Sequence, residues 1–247
     1  MRACKVIEPM NLPIQKLLDD DLREISKSRK ERGNYWYASE IGYCPRKCFF
    51  SRLQVIPDCE KDARTLRVFE VGKRDETFLL DGIVKKIGQS VGDTIITKAV
   101  REIECNNAKL NVHGRIDLYL EYGNNEKEII ETKSQSSRSF SYMTSRTQGA
   151  SEHHIAQLWF YLYTMGVENG QIVYISKDDL RIVQYPIFLS HEDTTIMVLK
   201  KINFLNQNWE DKHLPEVKEC WDCKYCDYKS TCQKIKVFDE LKKVEKK

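Results

Sequence analysis

Asp117 and the triplet Glu131-Thr132-Lys133 place two acids and an amine in segments that read as β-strands. Lys109 to Tyr122 alternates, so that Leu110, Val112, Ile116, Leu118 and Leu120 fall on one face and His113, Arg115, Asp117 and Tyr119 on the other. After a polar turn, Gly123-Asn124-Asn125, the run EKEIIETKS puts Ile129, Glu131 and Lys133 on a shared face by the same period of two. Two strand rises separate Glu131 from Lys133 by roughly 7 Å at Cα, close enough to aim at one object. Carboxylates are hard oxygen ligands suited to magnesium or manganese, and an ammonium beside them can position a water and neutralise a phosphate. That is the chemistry of metal-assisted phosphodiester cleavage. Glu76 offers a third acid. It precedes Leu79, Leu80 and Ile83 by three, four and seven residues and so faces their buried side of a helix, where a carboxylate is costly unless paired or metal-bound. Gln157 and Tyr161, four residues apart on one helix face, extend the site toward a water or a nucleic-acid backbone. Plain structural alternatives exist for each: Asp117 paired with Arg115 or His113, Glu131 with Lys133 on an exposed sheet face, Gln157 and Tyr161 as a polar pair. Taken together, the shared direction of the charges outweighs them.

The elements that must carry these residues follow from periodicity. Residues 11–32 read as a charged helix with Ile14, Leu17, Leu18, Leu22 and Ile25 at helical spacing, and residues 35–53 as a cysteine-proline turn followed by an aromatic helix. One longer helix is expected from Ala63 to Gly88, then strands near 94–105, 109–122 and 127–133. The Ser- and Arg-rich run from Ser134 to Gly149 reads as a loop. A helix from Ser151 to Met165, a hairpin over 171–176 and 180–188, and a helix over 191–210 complete the core. The pattern predicts an α/β class with a central mixed sheet flanked by helices. It divides into an N-terminal helical region (1–62), a core (63–212) and a cysteine-bearing tail (213–247), integrated into one unit.

No run of eighteen apolar residues exists, and MRACKVIEPMNLP lacks the features of a secretion signal, so a cytoplasmic protein without a membrane partner is expected. The net charge of +3 neither demands nor excludes a nucleic-acid partner, despite the local basic runs KSRKER, Arg46-Lys47 and KKVEKK. Nine cysteines without a secretion signal point to metal or cluster ligation rather than disulfides. Three ligand sets are open. Cys220, Cys223, Cys226 and Cys232 could hold zinc, or the same four a 4Fe–4S cluster, or Cys44 in its proline turn could join Cys223, Cys226 and Cys232. Bonding Cys44 to the tail would close a loop of well over a hundred residues and so constrain the unfolded chain. Basic and aromatic residues interleave after Lys133, where Arg138, Tyr142 and Arg146 suit phosphates and base faces of a single strand.

The order Gly72-x3-Glu76, Gly114-Arg115-Ile116-Asp117, Glu131-x-Lys133 and Gln157-x3-Tyr161 resembles the PD-(D/E)XK nuclease superfamily, in its RecB-type branch. YASEIGYCPRKCFF and CKYCDYKSTC further resemble the iron–sulfur members of that branch, the CRISPR-adaptation exonuclease family (Cas-four) and the nuclease domain of the AddB helicase-nuclease. The resemblance implies a restriction-endonuclease-like core whose N-terminal region and C-terminal segment are clasped by a 4Fe–4S cluster on Cys44, Cys223, Cys226 and Cys232. Cys220 and Cys48 are then spares, and Cys4, Cys59 and Cys105 ordinary thiols. It implies a Mg²⁺ or Mn²⁺ site on Glu76, Asp117, Glu131 and the Thr132 carbonyl, with Lys133, Gln157 and Tyr161 in support and Arg115 among the DNA contacts. It implies an exonuclease on single-stranded DNA or DNA ends, in CRISPR spacer acquisition with adaptation partners or in repair. The rival is a non-catalytic DNA-binding module with a structural zinc or iron–sulfur centre.

Overall fold

Runs of β-branched and aromatic residues at period two build one curled mixed sheet, and apolar helical stripes cover both of its faces. The computed structural model describes residues 13–27, 32–145, 149–216, 219 and 221–235. Cys4, Arg146, Cys220 and the closing basic run lie outside them. The strands are β1 (Trp36–Tyr37), β2 (Ser90–Val91), β3 (Thr94–Asn107), β4 (Val112–Tyr122), β5 (Lys127–Gln135), β6 (Asn169–Ser176) and β7 (Ile182–Phe188). The helices are α1 (Ile14–Lys27), α2 (Pro45–Arg52), α3 (Ala63–Val84), α4 (Ser137–Ser145), α5 (Glu152–Met165) and α6 (Glu192–Glu210), followed by a 3-10 turn over Trp221–Tyr225.

The sheet runs β2-β3-β4-β5-β6-β7, antiparallel throughout except for the parallel β5–β6 pair, whose crossover carries α4 and α5. One face packs α3 through Leu80 against Ile96, Leu118, Leu120, Ile130 and Val173. The other holds the larger core, in which Leu158 and Leu162 of α5 and Val198 and Ile202 of α6 meet Ile129 and Ile172. Gly166, at φ +63°, ends α5 in the left-handed conformation that glycine adopts without strain.

Two local features differ from the sequence expectation. The 134–149 stretch is not all loop. Phe140 and Met143, three residues apart, are buried and give α4 just enough apolar anchorage, while its serines and arginine hide the helical period. The alternation of β4 also breaks at Asp117. Val112, Ile116 and Tyr119 all join the α5-side core, whereas Leu118 and Leu120 join the α3-side cluster. Across the ladder, Glu102 lies between the pairs Arg101–Leu118 and Ile103–Ile116 and has φ +58°, so the irregularity is shared by both strands. β5 pairs with β4 only up to Leu118–Ile130, and beyond that point the short β1 pairs with Val112 and His113 instead. This parting of β4 from β5 opens the sheet beside Asp117. The charged helix α1 buries Asp19 and Leu22 while Ile14, Leu17, Leu18 and Ile25 stay exposed; it is tied to α3 by an Arg67–Asp19 ion pair. Among the described residues no helix is long and apolar enough to cross a membrane.

Candidate active site

Where β4 and β5 part, the Asp117 side chain turns into the gap and its Oδ2 accepts hydrogen bonds from the Thr132 N–H (2.8 Å) and the Thr132 hydroxyl (3.0 Å). One residue to either side, β5 sends Glu131 and Lys133 to the α5 face, opposite Ile172 and Tyr174 of β6. Glu131 is completely buried and is ion-paired through Oε1 with the Lys133 ammonium. Its Oε2 is buried without a hydrogen-bond partner, a position that favours a cation. From α3, Glu76 reaches the end of β5, where its Oε1 accepts from the Ser134 N–H (3.0 Å) and hydroxyl (3.3 Å). Gly72, one turn before Glu76, permits this approach, because a Cβ there would lie 2.5 Å from the Ser134 hydroxyl.

The electrostatics record the convergence. Burial pushes the Glu131 carboxyl up to about 8; the Lys133 ammonium pulls it down, while Asp117 and Glu76 push it further up. Burial likewise raises Glu76, against Lys133. Lys133 loses solvation, yet Glu131, Asp117 and Glu76 outweigh that loss and hold it firmly protonated. Three acids and one base therefore share a water-poor pocket, a charge imbalance that a divalent ion would correct. Among the described residues no three His, Cys, Asp or Glu side chains stand at ligating separation as they are. Each carboxylate is instead held through one oxygen by Thr132, Lys133 or Ser134.

Gln157 and Tyr161 project from α5 toward the same place. Gln157 Nε2 donates to the Tyr161 hydroxyl (3.1 Å), which also accepts from the Arg115 N–H (3.3 Å). Burial raises the Tyr161 phenol, and the Glu131 charge raises it further. Gly114 lets the ring close on β4, since a Cβ there would sit 2.5 Å from it. His153 is one turn earlier on the same stripe. The spacing 153, 157, 161 could have revealed it. It stacks on Tyr43 at 4.4 Å, and burial lowers it to about 4. His113, considered as a neighbour of Asp117, stacks on Tyr35 instead, at 3.6 Å. Arg115 points away, exposed and ion-paired with Glu102 at 2.6 Å.

Beyond Lys133 a groove of about 1250 Å³ opens, lined by Ser134, Arg138, Tyr142, His153, Asp222 and Tyr225 among others. Behind His153 lies a second cavity, of about 260 Å³, whose wall carries Cys44, Cys223, Cys226 and Cys232. Cys44 sits at the N-terminus of α2 ahead of Pro45. Burial raises its thiol, and the N–H groups of Lys47 and Arg46 offset part of that rise. Arg46 Nη1 lies 3.8 Å from the Cys232 sulfur, and its Nε donates to the Pro215 carbonyl at 2.7 Å. Cys48, the expected spare, faces away: its thiol is buried against the Glu40 carbonyl at 3.1 Å. Asp58 fastens the tail, accepting from the Ser230 N–H, the Thr231 N–H and the Thr231 hydroxyl at 2.5, 3.2 and 2.7 Å. This contact spans more than 170 residues and has no local sequence signal.

Comparison with known proteins agrees with this geometry. SSO0001, a crystal structure, superposes with a TM-score of 0.56 at 21% identity, covering 89% of this chain and 96% of that one. LHK-Exo in complex with dAMP superposes with a TM-score of 0.51 at 12% identity, covering 72% and 89%. At these identities both likenesses concern the fold. The CRISPR-associated exonuclease Cas4 of Saccharolobus solfataricus is 29% identical over 137 residues, 55% of this chain. That match spans 58% of the Cas4 protein, less than two thirds of its length. The family model of the PD-(D/E)XK nuclease superfamily matches residues 51–233, a stretch that runs from α2 through every strand of the site to the last cysteine. The chain belongs to the PD-(D/E)XK nuclease superfamily.

Proposed function

We propose that this protein is a metal-dependent deoxyribonuclease that acts as an exonuclease on single-stranded DNA or DNA ends. The observation that carries the reading is the convergence of Glu76, Asp117, Glu131 and Lys133 at the β4–β5 parting, with one Glu131 oxygen buried and unpartnered. Glu76, Asp117, Glu131 and the Thr132 carbonyl would hold Mg²⁺ or Mn²⁺, and these all-oxygen donors fit such ions. When bound, the ions supply Lewis-acid stabilisation of the phosphate and make water a nucleophile near neutral pH. Lys133, held protonated by three acids, neutralises the developing phosphate charge and positions the attacking water. Tyr161 and Gln157 fix the β4 backbone at Arg115 and close the pocket to bulk water from the α5 side. The 134–145 segment, with Arg138 and Tyr142, would guide the strand in.

Cys44, Cys223, Cys226 and Cys232 would hold a 4Fe–4S cluster. Four thiols on one cavity wall, with a helix N-terminus and the Arg46 guanidinium beside them, fit a thiolate-ligated group. Its role would be to clasp the two chain ends. Absorbance near ~400 nm, with iron and sulfide analysis of anaerobically purified protein, separates it from zinc. The name of the Cas4 relative and the dAMP bound by LHK-Exo are consistent with a DNA substrate and with work in CRISPR adaptation.

The test is manganese-dependent cleavage of 5′- and 3′-labelled single strands by wild type and Asp117→Ala. Release of short products by wild type alone supports the reading. A strand left whole by wild type would leave only a DNA-binding module.

A further inference from the structure

The turn Trp221–Tyr225 stands between two spaces. Asp222 and Tyr225 line the cysteine cavity on one side and the groove that begins at Ser134 on the other. The tail that carries the cysteines is therefore also a wall of the groove that starts at Ser134, the residue after Lys133. On that wall Tyr225 is 72% exposed and belongs to neither apolar core. Its recorded ring contact is with the neighbouring Lys224 ammonium, 5.6 Å from the ring centre. The α4 wall of the same groove presents Tyr142, itself 52% exposed.

The groove's charges decide what kind of group it takes. Among the described residues Glu152, Asp222 and Arg138 are the charged groups that line it, and four serines supply hydroxyls. A trough with two carboxylates repels phosphate oxygens. It accepts flat groups with apolar faces and amino edges, because aromatic rings stack on the faces and carboxylates accept from the edges. Lys224 and Arg138 are both exposed and can take the phosphates at the margins.

We propose that Tyr225 is a base-stacking residue of the nuclease groove. Acting with Tyr142, it receives a nucleobase of the incoming single strand, so that the cysteine-bearing tail contributes directly to substrate binding. This rests on the nuclease reading of the neighbouring site and names a contact within it. Tyr225 would be a substrate-positioning residue, outside the set of carboxylates and Lys133. Stacking on an aromatic side chain tolerates any base and depends on the ring rather than on the hydroxyl.

The experiment uses the full-length protein with its cluster, divalent metal withheld, and a fluorescein-labelled single strand of about 15 nucleotides. A series of strands carries one abasic site at successive positions, and anisotropy gives the affinity of each. In wild type, abasic substitution at one or two positions should weaken binding about tenfold, the size expected for one stacked base. In Tyr225→Ala the intact strand should bind about tenfold more weakly, and that position-specific penalty should vanish. Tyr225→Phe should behave as wild type. The proposal is overturned if wild type shows no position-specific penalty, if Tyr225→Ala keeps it, or if Tyr225→Phe loses it. Should the alanine variant lose iron, Tyr225→Leu against Tyr225→Phe decides: loss of the penalty in leucine alone supports stacking, and its retention in leucine overturns it. Failure of wild type to cleave in manganese would remove the nuclease reading while leaving this binding result standing.

Discussion

The carboxylate site and the cysteine site are built on opposite plans. Asp117 is carried by β4 where that strand runs beside β3, Glu131 and Lys133 by β5 where it pairs with β6, and α3 and α5 bury them from above and below. Every charged group there already has a protein partner through at least one atom. The four cysteines come instead from a turn before an eight-residue helix and from a tail whose described residues form a 3-10 turn and a short helical stretch. The described part of the tail is held by Asp58 at its helical turn, the Asp227 carbonyl on the Asp58 N–H, a Lys61–Asp227 ion pair at 3.4 Å, Arg46 on the Pro215 carbonyl, and Tyr228 against Phe50 at 5.5 Å, among others. A site of the first kind has its backbone set by the sheet, and its carboxylates would only have to exchange their present partners for an ion. A site of the second kind depends on its bound group for its shape.

The strongest challenge to that contrast is to remove charge from the carboxylate site. Asp117→Ala and Lys133→Ala should each lower manganese-dependent cleavage by about 10³-fold or more, the scale of losing a transition-state charge partner. Iron content and the melting temperature should change little, because the sheet holds its shape without them. Cleavage within tenfold of wild type by either variant would remove the residue from the chemistry.

Breaking the clasp should act mainly on stability. Cys226→Ser should deplete iron and lower Tm by about 10 °C, the shift for roughly 3 kcal/mol of lost long-loop constraint in a chain of this length. Tail proteolysis should accelerate while the core resists. A variant that loses its iron yet keeps wild-type Tm and tail protection would show that protein contacts alone close the tail.

The two sites also differed in how far the sequence announced them. Glu131 and Lys133 were legible because a strand's period is fixed and their face follows from Ile129. Glu76 was legible because it sits at helical spacing from Leu80. The turn of Asp117 toward Thr132 was not, since it falls at a break in the β4 alternation, opposite a left-handed Glu102, that no period announces. Helix α4 was missed because two buried residues, Phe140 and Met143, anchor it within a polar run. His153 shared the spacing of Gln157 and Tyr161 and could have been read. For the cysteines, local spacing permitted a tail-only site equally well, and only a family resemblance joined Cys44 to the tail. Asp58 could not be found at all, because its partners are remote and carry no period.

A smaller test probes how tightly the first site is packed. In Gly114→Ala the new methyl group meets the Tyr161 ring at 2.5 Å and the Ala38 side chain at 2.8 Å, so neither side can yield easily. Overpacking of this kind costs roughly 1–3 kcal/mol, a fall in Tm of about 3–10 °C. Cleavage should drop as Tyr161 leaves the Arg115 N–H, with iron content unchanged. An unaltered Tm would mean that the site is looser than the contrast requires.

The smallest effect tests how little protein holds the tail. Hydrogen bonds from Thr231 and Ser230 keep the Asp58 carboxyl below its usual range, although desolvation opposes them. A group whose folded pKa is depressed adds stability that is present above the unfolded value, about 3.9, and is lost as pH falls through the folded value. Asp58→Asn cannot ionise and must turn its amide NH2 toward one of the N–H groups that the carboxylate accepts from, so wild type should exceed it in Tm at neutral pH. That difference should hold down to about pH 5 and close as the solution is acidified below about pH 4. A difference that persists unchanged into acid would show that the ionisation of Asp58 contributes nothing, and the tail would then owe its position to its other contacts, those of Arg46, Lys61 and Tyr228 among them.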